Sequence, residues 1–489
     1  MAPGFEEGAS SRFSRQIGQE CMTCHNGLPD FEERSRNKFH SVKTGIDCER
    51  CHGPGELHVE RKRAGKIIDT SQYADSTIVN PARLTKELQM SLCQRCHLQG
   101  NAVLKEGKSW KDFQPGMHLD SIMNVFLPEY KGQEDRFIMA SQAERLRESA
   151  CYTQSDMSCI TCHNPHVSVE ETSIATFNSK CRNCHNGAGK KSECTEDMAT
   201  RNKEDDNCTG CHMPKSGSID IPHVSITDHH IKTRHDKDQE NISYTEAQKI
   251  QQFVGLKCMT KENPSNYEMA MGYLSFYEEF SKGRYLLDSA KIFIEQRPQG
   301  DLVPWLKPIV KYHFLRNDFA SIRTYASRVR LDSVQDEWTN YRIGEAYFQA
   351  KQYQKALKYY QQAVNKKPFN LAFQNKLGST YFQLGNYQKA ERVFRLILTE
   401  DPRQKEAMAN LGYLLLRKGR KERASDYFKK TLSLDPDYLQ AMFNQAALSL
   451  QNKQWEKART ILQNILKKDP GNSKAQQLLQ RLDAMERRS

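Results

Sequence analysis

The chain has 489 residues, with 72 Lys and Arg against 60 Asp and Glu, 37% apolar residues and a mean hydropathy of −0.78. No stretch approaches the roughly 18 apolar residues of a membrane span, and the length points to two or three domains. The formal charge of +12 comes with no zinc finger and no aromatic–basic motif, which argues against nucleic acid as a partner.

The opening MAPGFEEGAS is acidic and has no apolar h-region of an export signal. Six copies of Cys-x-x-Cys-His follow. They are Cys21, Cys24, His25; Cys48, Cys51, His52; Cys93, Cys96, His97; Cys159, Cys162, His163; Cys181, Cys184, His185; and Cys208, Cys211, His212. This is the attachment signature of c-type haem. Two thiols add to the two porphyrin vinyl groups, and the adjacent imidazole binds the iron from one face. Zinc is the competing chemistry, because paired Cys-x-x-Cys knuckles also make tetrahedral sites. Zinc knuckles do not demand His directly after the second Cys, and here it follows every time. About one chain in a hundred of this composition would hold even one such string by chance. The reading is therefore six covalently attached haem c groups.

Twelve of the 15 cysteines are used in this way, leaving Cys151, Cys194 and Cys258. The cysteine count reflects cofactor attachment and not a disulfide framework; Cys151 with Cys194 is a possible bridge in an oxidising compartment. Each ferric haem brings roughly one net negative charge, so six would bring the balance to about +6. The first half is poor in aliphatic runs and rich in Gly, Pro, Asn and His. Its expected core is porphyrin, with loops packed around it.

The motif histidines take one axial position on each iron, and the ligand on the other face sets potential and reactivity. Nine further histidines are available, which favours bis-imidazole iron and electron transfer. His58 lies in CHGPGELH and His166 in CHNPH, both on Gly- or Pro-fixed turns; His223 and His229 lie in IPHVSITDHH. These four are the leading candidates. His58 and His166 stand too close to their own motifs to reach the opposite face, so each is expected to serve a neighbouring haem. His40 and His118 are weaker candidates, His230 and His235 are read as surface groups, and His313 as structural.

Beyond Asn241 the chain turns steadily helical, and from Glu337 it repeats with a period of 34. Gly344, Gly378, Gly412 and Ala446 keep that spacing, as do Ala356, Ala390, Ala424 and Ala458, and Pro368, Pro402, Pro436 and Pro470. Small residues at two fixed positions and Pro near the end of each unit read as tetratricopeptide repeats. Four units run 337–370, 371–404, 405–438 and 439–472, with a capping helix after them. Aromatics at Tyr347, Tyr353, Tyr381, Tyr387 and Trp455 are expected between the helices of each pair. Residues 241–264 are expected to be a helical connector and 265–335 one or two degenerate hairpins.

The segments GIDCERCHGPGELHV, IVNPARL, SACYTQSDMSCITCHNPH and CTGCHMPKSGSIDIPHVSITDHHI resemble bacterial multihaem cytochromes with C-terminal tetratricopeptide repeats, related to the cytochrome c-554 group. The resemblance implies bis-His haems in close-packed pairs and export to the periplasm. It implies ligand roles for His58, His166, His223 and His229. Such proteins usually begin well upstream of the segment matching IGQECMTCHNG, so this chain is expected to be a piece of a longer exported one.

The expected architecture is mainly α: a loop-rich multihaem cytochrome domain (1–240), a helical connector (241–336) and an α-solenoid of tetratricopeptide repeats (337–489). The expected function is electron relay between redox partner proteins in the periplasm or outside the cell, with a protein or peptide held in the repeat groove. A haem enzyme acting on small nitrogen or sulfur compounds is the alternative. The related nitrite reductases mark their catalytic haem with Cys-x-x-Cys-Lys, which does not occur in this chain. An electron carrier is therefore favoured over a catalyst.

Overall fold

The computed structural model describes residues 17–35, 37–131, 140–185, 194–203, 205–217, 224–233, 253–300 and 302–486. The chain divides into two compact units, 1–32 with 37–298 and 33–36 with 299–489. That division falls inside the expected connector 241–336 and assigns its two parts to different units.

The first unit begins with α1 (Gln19–His25), the paired β1 (Asp30–Phe31) and β2 (Phe39–Ser41), α2 (Glu49–His52), α3 (Glu56–Arg63) and α4 (Lys86–His97). Strands β3 (Asn101–Leu104) and β4 (Met123–Tyr130) follow. Then come six short helices: α5 (Gln142–Arg147), α6 (Ala150–Thr153), α7 (Cys159–Cys162), α8 (Ile174–Cys184), α9 (Met198–Lys203) and α10 (Cys208–His212). After β5 (Lys215–Gly217), β6 (Ser225–Thr227) and β7 (Phe253–Cys258) the unit closes with α11 (Asn266–Glu279) and α12 (Arg284–Glu295).

Its apolar core sits around an antiparallel sheet of order β3–β4–β7 and the helices α11 and α12. Leu98, Leu119, Ile122, Met123 and Val125 form one buried cluster. Strand β3 covers β4 only as far as Phe126, so Pro128 falls where one flank of the strand is unpaired, a position that tolerates proline. Helix α11 lies close against the sheet because Gly272 has no Cβ; one there would meet the Phe126 ring at 3.0 Å. Asn101 donates to the Gly272 carbonyl at 2.8 Å, and the Leu256 amide donates to the Tyr273 hydroxyl at 3.1 Å. The expected helical connector over 241–264 is corrected here. Residues 241–252 lie outside the described residues, and 253–258 form β7. Phe253-Val-Gly-Leu-Lys-Cys has an extended, β-prone pattern and pairs with the free edge of β4.

The second unit is a helical solenoid. A leading hairpin, α13 (Leu306–Leu315) with α14 (Phe319–Ala326), is followed by four pairs. These are α15 (Glu337–Gln349) with α16 (Tyr353–Lys366), α17 (Leu371–Gln383) with α18 (Tyr387–Glu400), α19 (Lys405–Arg417) with α20 (Lys421–Leu434), and α21 (Leu439–Gln451) with α22 (Trp455–Lys468). Helix α23 (Ser473–Glu486) caps the stack. The pairs match the four expected repeat units, and α11–α12 with α13–α14 supply the two irregular hairpins.

Close approach within each pair rests on one exchange of volume. A Cβ at Gly344, Gly378 or Gly412 would meet Tyr360, Phe394 or Phe428 at 2.9, 2.7 or 2.6 Å. In the fourth unit Ala446 takes the glycine position, and the smaller Leu462 stands where the others have an aromatic ring. These fully buried second-helix residues are the main filling of the stack, ahead of the aromatics expected from sequence. Among the latter, Tyr347 pairs with Tyr359 and Tyr353 with Phe348, at 5.6 and 5.2 Å between ring centres. Ion pairs tie one unit to the next, Lys376 to Glu345 at 2.7 Å and Lys418 to Glu391 at 2.7 Å, while Lys405 to Asp435 at 2.6 Å joins the two ends of the third unit.

Candidate haem centres

Each Cys-x-x-Cys string occupies about one helical turn, at α1, α2, the end of α4, α7, the end of α8 and α10. A turn of helix puts residues i and i+3 on one face, so both thiols of each string point the same way. Cys48 caps α2, and His163 and His185 follow directly on α7 and α8. Past His52 the chain turns at once, because Gly53 adopts a left-handed φ of 77°. None of the 15 cysteines is in a disulfide, so the possible Cys151–Cys194 bridge is not formed.

The strings form a connected series. Cys24 and Cys96 are hydrogen-bond partners, which joins the first string to the third. Cys93 partners Cys159 in the fourth and lies within electrostatic reach of Cys51 in the second. Cys162 is close to Cys184 in the fifth, and Cys181 partners Cys208 in the sixth. Arg50, between the second pair of thiols, donates to the carbonyl of Met22 within the first string and to those of Asn26 and Gly27 just past it. In the Cys24–Cys96 and Cys93–Cys159 pairs the shared hydrogen bond lowers one thiol and raises the other. Cys24 is pulled down to about 6 by its hydrogen bond with Cys96, against burial and with help from Arg95. Cys96 and Cys93 are pushed up by their thiol partners and by burial.

Two motif imidazoles face a second imidazole. His52 and His166 have ring centres 6.0 Å apart and planes 11° apart; for His163 and His229 the values are 6.1 Å and 28°. Two metal–imidazole bonds of about 2 Å, end to end and with the rings' own half-widths added, separate ring centres by roughly 6 Å. Both pairs have the spacing of imidazoles sharing one metal ion.

The rings are oriented by their other nitrogen. Nδ1 meets the Val79 carbonyl at 2.8 Å in His52, the Lys232 carbonyl at 2.7 Å in His212 and the Thr227 carbonyl at 3.0 Å in His229. An Nδ1–H engaged in this way leaves the Nε2 lone pair for a metal. In His58, Nδ1 lies 3.2 Å from both the Thr77 hydroxyl and the Asp75 carboxylate. Burial holds His163 and His229 below the ordinary imidazole value, with the neighbouring His97 adding to this, so both stay neutral and able to ligate.

Apolar side chains stand exposed beside the strings: Ile46 before Cys48, Leu57 and Val59 flanking His58, and Val167, Val169 and Ile174 after His166. A flat apolar ring would cover them. Thiols on one face, an imidazole beside them, an opposed imidazole and bare apolar neighbours together fit a porphyrin. Among the described residues no group of three or more His, Cys, Asp and Glu is disposed to hold a bare metal ion; the donors meet in twos.

The structure thus brings His166 and His229 to motif histidines and gives His58 an anchored ring. His223 and His235 lie outside the described residues. His40 is exposed near Glu32, His230 lies 3.3 Å from Glu148, and His313 pairs with Asp318 at 2.9 Å. Sequence reasoning missed the closeness of His97 to the His163–His229 pair. It also missed the groups that hold the His229 loop, since neither has a local signal.

Comparison with known proteins places the repeats first. A tetratricopeptide-repeat family model matches residues 415–482, and the model of the fourth ARM domain of tetratricopeptide repeat protein 21 matches 340–422. The C-terminal part of the chain carries tetratricopeptide repeats. Among solved structures the chain is similar to MamA (41-end) of Desulfovibrio magneticus RS-1, at 15% identity and a TM-score of 0.30 over 36% of this chain and 99% of that one. It is also similar to a thermophilic TPR protein of Thermus thermophilus, TTC0263, at 16% identity and a TM-score of 0.33 over 37% and 98%. A curated relative is the multiheme cytochrome MtrA of Shewanella baltica (strain OS185), 24% identical over 202 residues and 36% of this chain. The match spans about half of that protein, 55% of its length. No described helix is long and apolar enough to cross a membrane.

Proposed function

We propose that the first unit is a hexahaem c-type cytochrome that relays electrons, and that the repeat unit docks it to a protein partner. The observation that carries this reading is the pair of opposed imidazoles, His52 with His166 and His163 with His229, each beside a Cys-x-x-Cys string. The bound porphyrin iron would supply one-electron chemistry. The chain supplies two thiols per haem, the axial imidazoles, the second-nitrogen hydrogen bonds that fix their tautomer, and the spacing.

The neighbouring strings suggest an order for the relay: the second is tied to the first through Arg50, the first meets the third, and the fourth, fifth and sixth follow in series. Electrons would pass between neighbouring porphyrin edges along that series. With haem bound, His52 with His166 and His163 with His229 would hold the iron between two imidazoles, which favours a carrier over a catalyst at those two centres. The solenoid's concave face is the surface that repeats of this class use for proteins or peptides. We place the protein outside the cytoplasmic membrane, where such haems are attached.

The test is production of the exported chain in a bacterium with c-type haem maturation, followed by intact-mass analysis and spectroscopy. The expected result is six covalent haems with the His163 and His52 centres six-coordinate and low-spin. A bare polypeptide or a zinc-loaded one would overturn the reading.

A further inference from the structure

We propose that Arg145 is a positioning residue for His229: acting through Asp228, it holds that imidazole opposite His163. The inference rests on the haem reading above. Arg145 and Asp228 are distant in sequence and meet inside the first unit, with side chains 3% and 8% exposed. Arg145 Nε donates to Asp228 Oδ1 at 2.8 Å and Nη2 donates to Oδ2 at 2.7 Å. Neither group can turn without losing both bonds. The remaining Nη1 donates to Glu148 at 2.8 Å.

The carboxylate also accepts from the amide of His230 at 2.9 Å, so it spans the residue that bears the candidate ligand. From α6's start, the fully buried Ser149 hydroxyl donates to the His229 carbonyl at 3.1 Å and accepts from the Ile231 amide at 2.8 Å. Residues 228–231 are thus tied to the α5–α6 junction at each position. The other opposed imidazole is held differently. His166 lies on an exposed turn, where its amide donates to the Asn164 side chain at 3.1 Å.

A buried ion pair is weak evidence of added stability, since removing two charges from water offsets much of their attraction. What a two-pronged pair does well is fix a position. An axial ligand must be placed within tenths of an ångström, and the short described segment 224–233 has only Asp228 buried. The arginine supplies the placement.

The experiment uses the full haem-loaded chain. Arg145→Met, Arg145→Lys, Asp228→Asn and Ser149→Ala are compared with His229→Gly as the benchmark and Lys291→Met, which breaks an exposed pair with Glu295, as the control. Haem count is read by mass, spin state by electron paramagnetic resonance, and open iron by carbon monoxide binding to the reduced protein. The expected result is an unchanged haem count with one further high-spin, carbon monoxide-binding haem in Arg145→Met. Its signature should match that of His229→Gly. Arg145→Lys should show a smaller fraction, and Lys291→Met none. If Arg145→Met, Asp228→Asn and Ser149→Ala all stay as low-spin as the parent while His229→Gly does not, the positioning role is wrong. A parent chain without haem would instead overturn the haem reading, and this inference with it.

Discussion

His52 and His163 each find their partner imidazole from a distant part of the chain, and that arrangement makes the two centres separable. Replacing His166 with Gly should open the iron of the second string, and replacing His229 with Gly that of the fourth. Each variant should make roughly one haem in six high-spin, and the double variant twice that. Electron paramagnetic resonance of the oxidised protein checks the additivity; a double variant no different from either single one would mean that both histidines serve one iron. The six Cys-x-x-Cys-His strings were legible in the sequence by their spacing alone, and the structure sets each on about one helical turn. His58, His166 and His229 were legible as candidates, but not their destinations, since nothing local encodes which ring each will face. Nothing in the sequence joins Arg145 to Asp228: they are 83 residues apart, and although Asp228 lies in IPHVSITDHH, Arg145 belongs to no motif.

The helix pairs of the solenoid test the volume exchange between their two helices. A methyl group at residue 378 would stand 2.7 Å from the Phe394 ring. Gly378→Ala should therefore cost about 1–3 kcal/mol of unfolding free energy, as overpacking does. Adding Phe394→Leu, which copies the Ala446–Leu462 arrangement of the fourth unit, should restore part of it. Denaturant titration of both variants measures the recovery. The ion pairs between units give a second prediction. Glu391 is pulled down to about 2 by its hydrogen bond from Lys418, against burial and with Arg395 adding to it. A carboxyl held low in the folded state stabilises fully above its unfolded value, and that contribution is lost as pH falls from about 4.5 to about 2. The thermal midpoint of the repeat unit should fall over that window, and less steeply in Glu391→Gln. The 34-residue period made this half of the fold legible, because each unit repeats the same local contacts. The sheet was not legible: β3, β4 and β7 are short, one contains Pro128, and their pairing joins residues far apart in the chain.

At the scale of the molecule, the two units differ in what holds them. The repeat unit has a continuous run of buried apolar clusters from Leu306 to Ala475. Among the described residues of the first unit the buried apolar groups gather around its sheet and helices α11 and α12, while many apolar groups near its strings are exposed. Residues 299–489 produced alone should fold cooperatively without any cofactor. The full chain made without haem should show digestion by protease confined to the first unit. Circular dichroism and limited proteolysis check both. Equal resistance of the two units would mean that the first is held by its polypeptide alone.

Strand β7 and helix α11 have a practical corollary for anyone dissecting this polypeptide. Scissors placed at 240, where the composition changes, would strip Met123–Tyr130 of its neighbour and bare Phe126. A raw β margin of that kind recruits whatever strand it next encounters, including its twin on another copy. Such a truncation would precipitate for reasons unrelated to iron, whereas one ending at 298 keeps the seam closed.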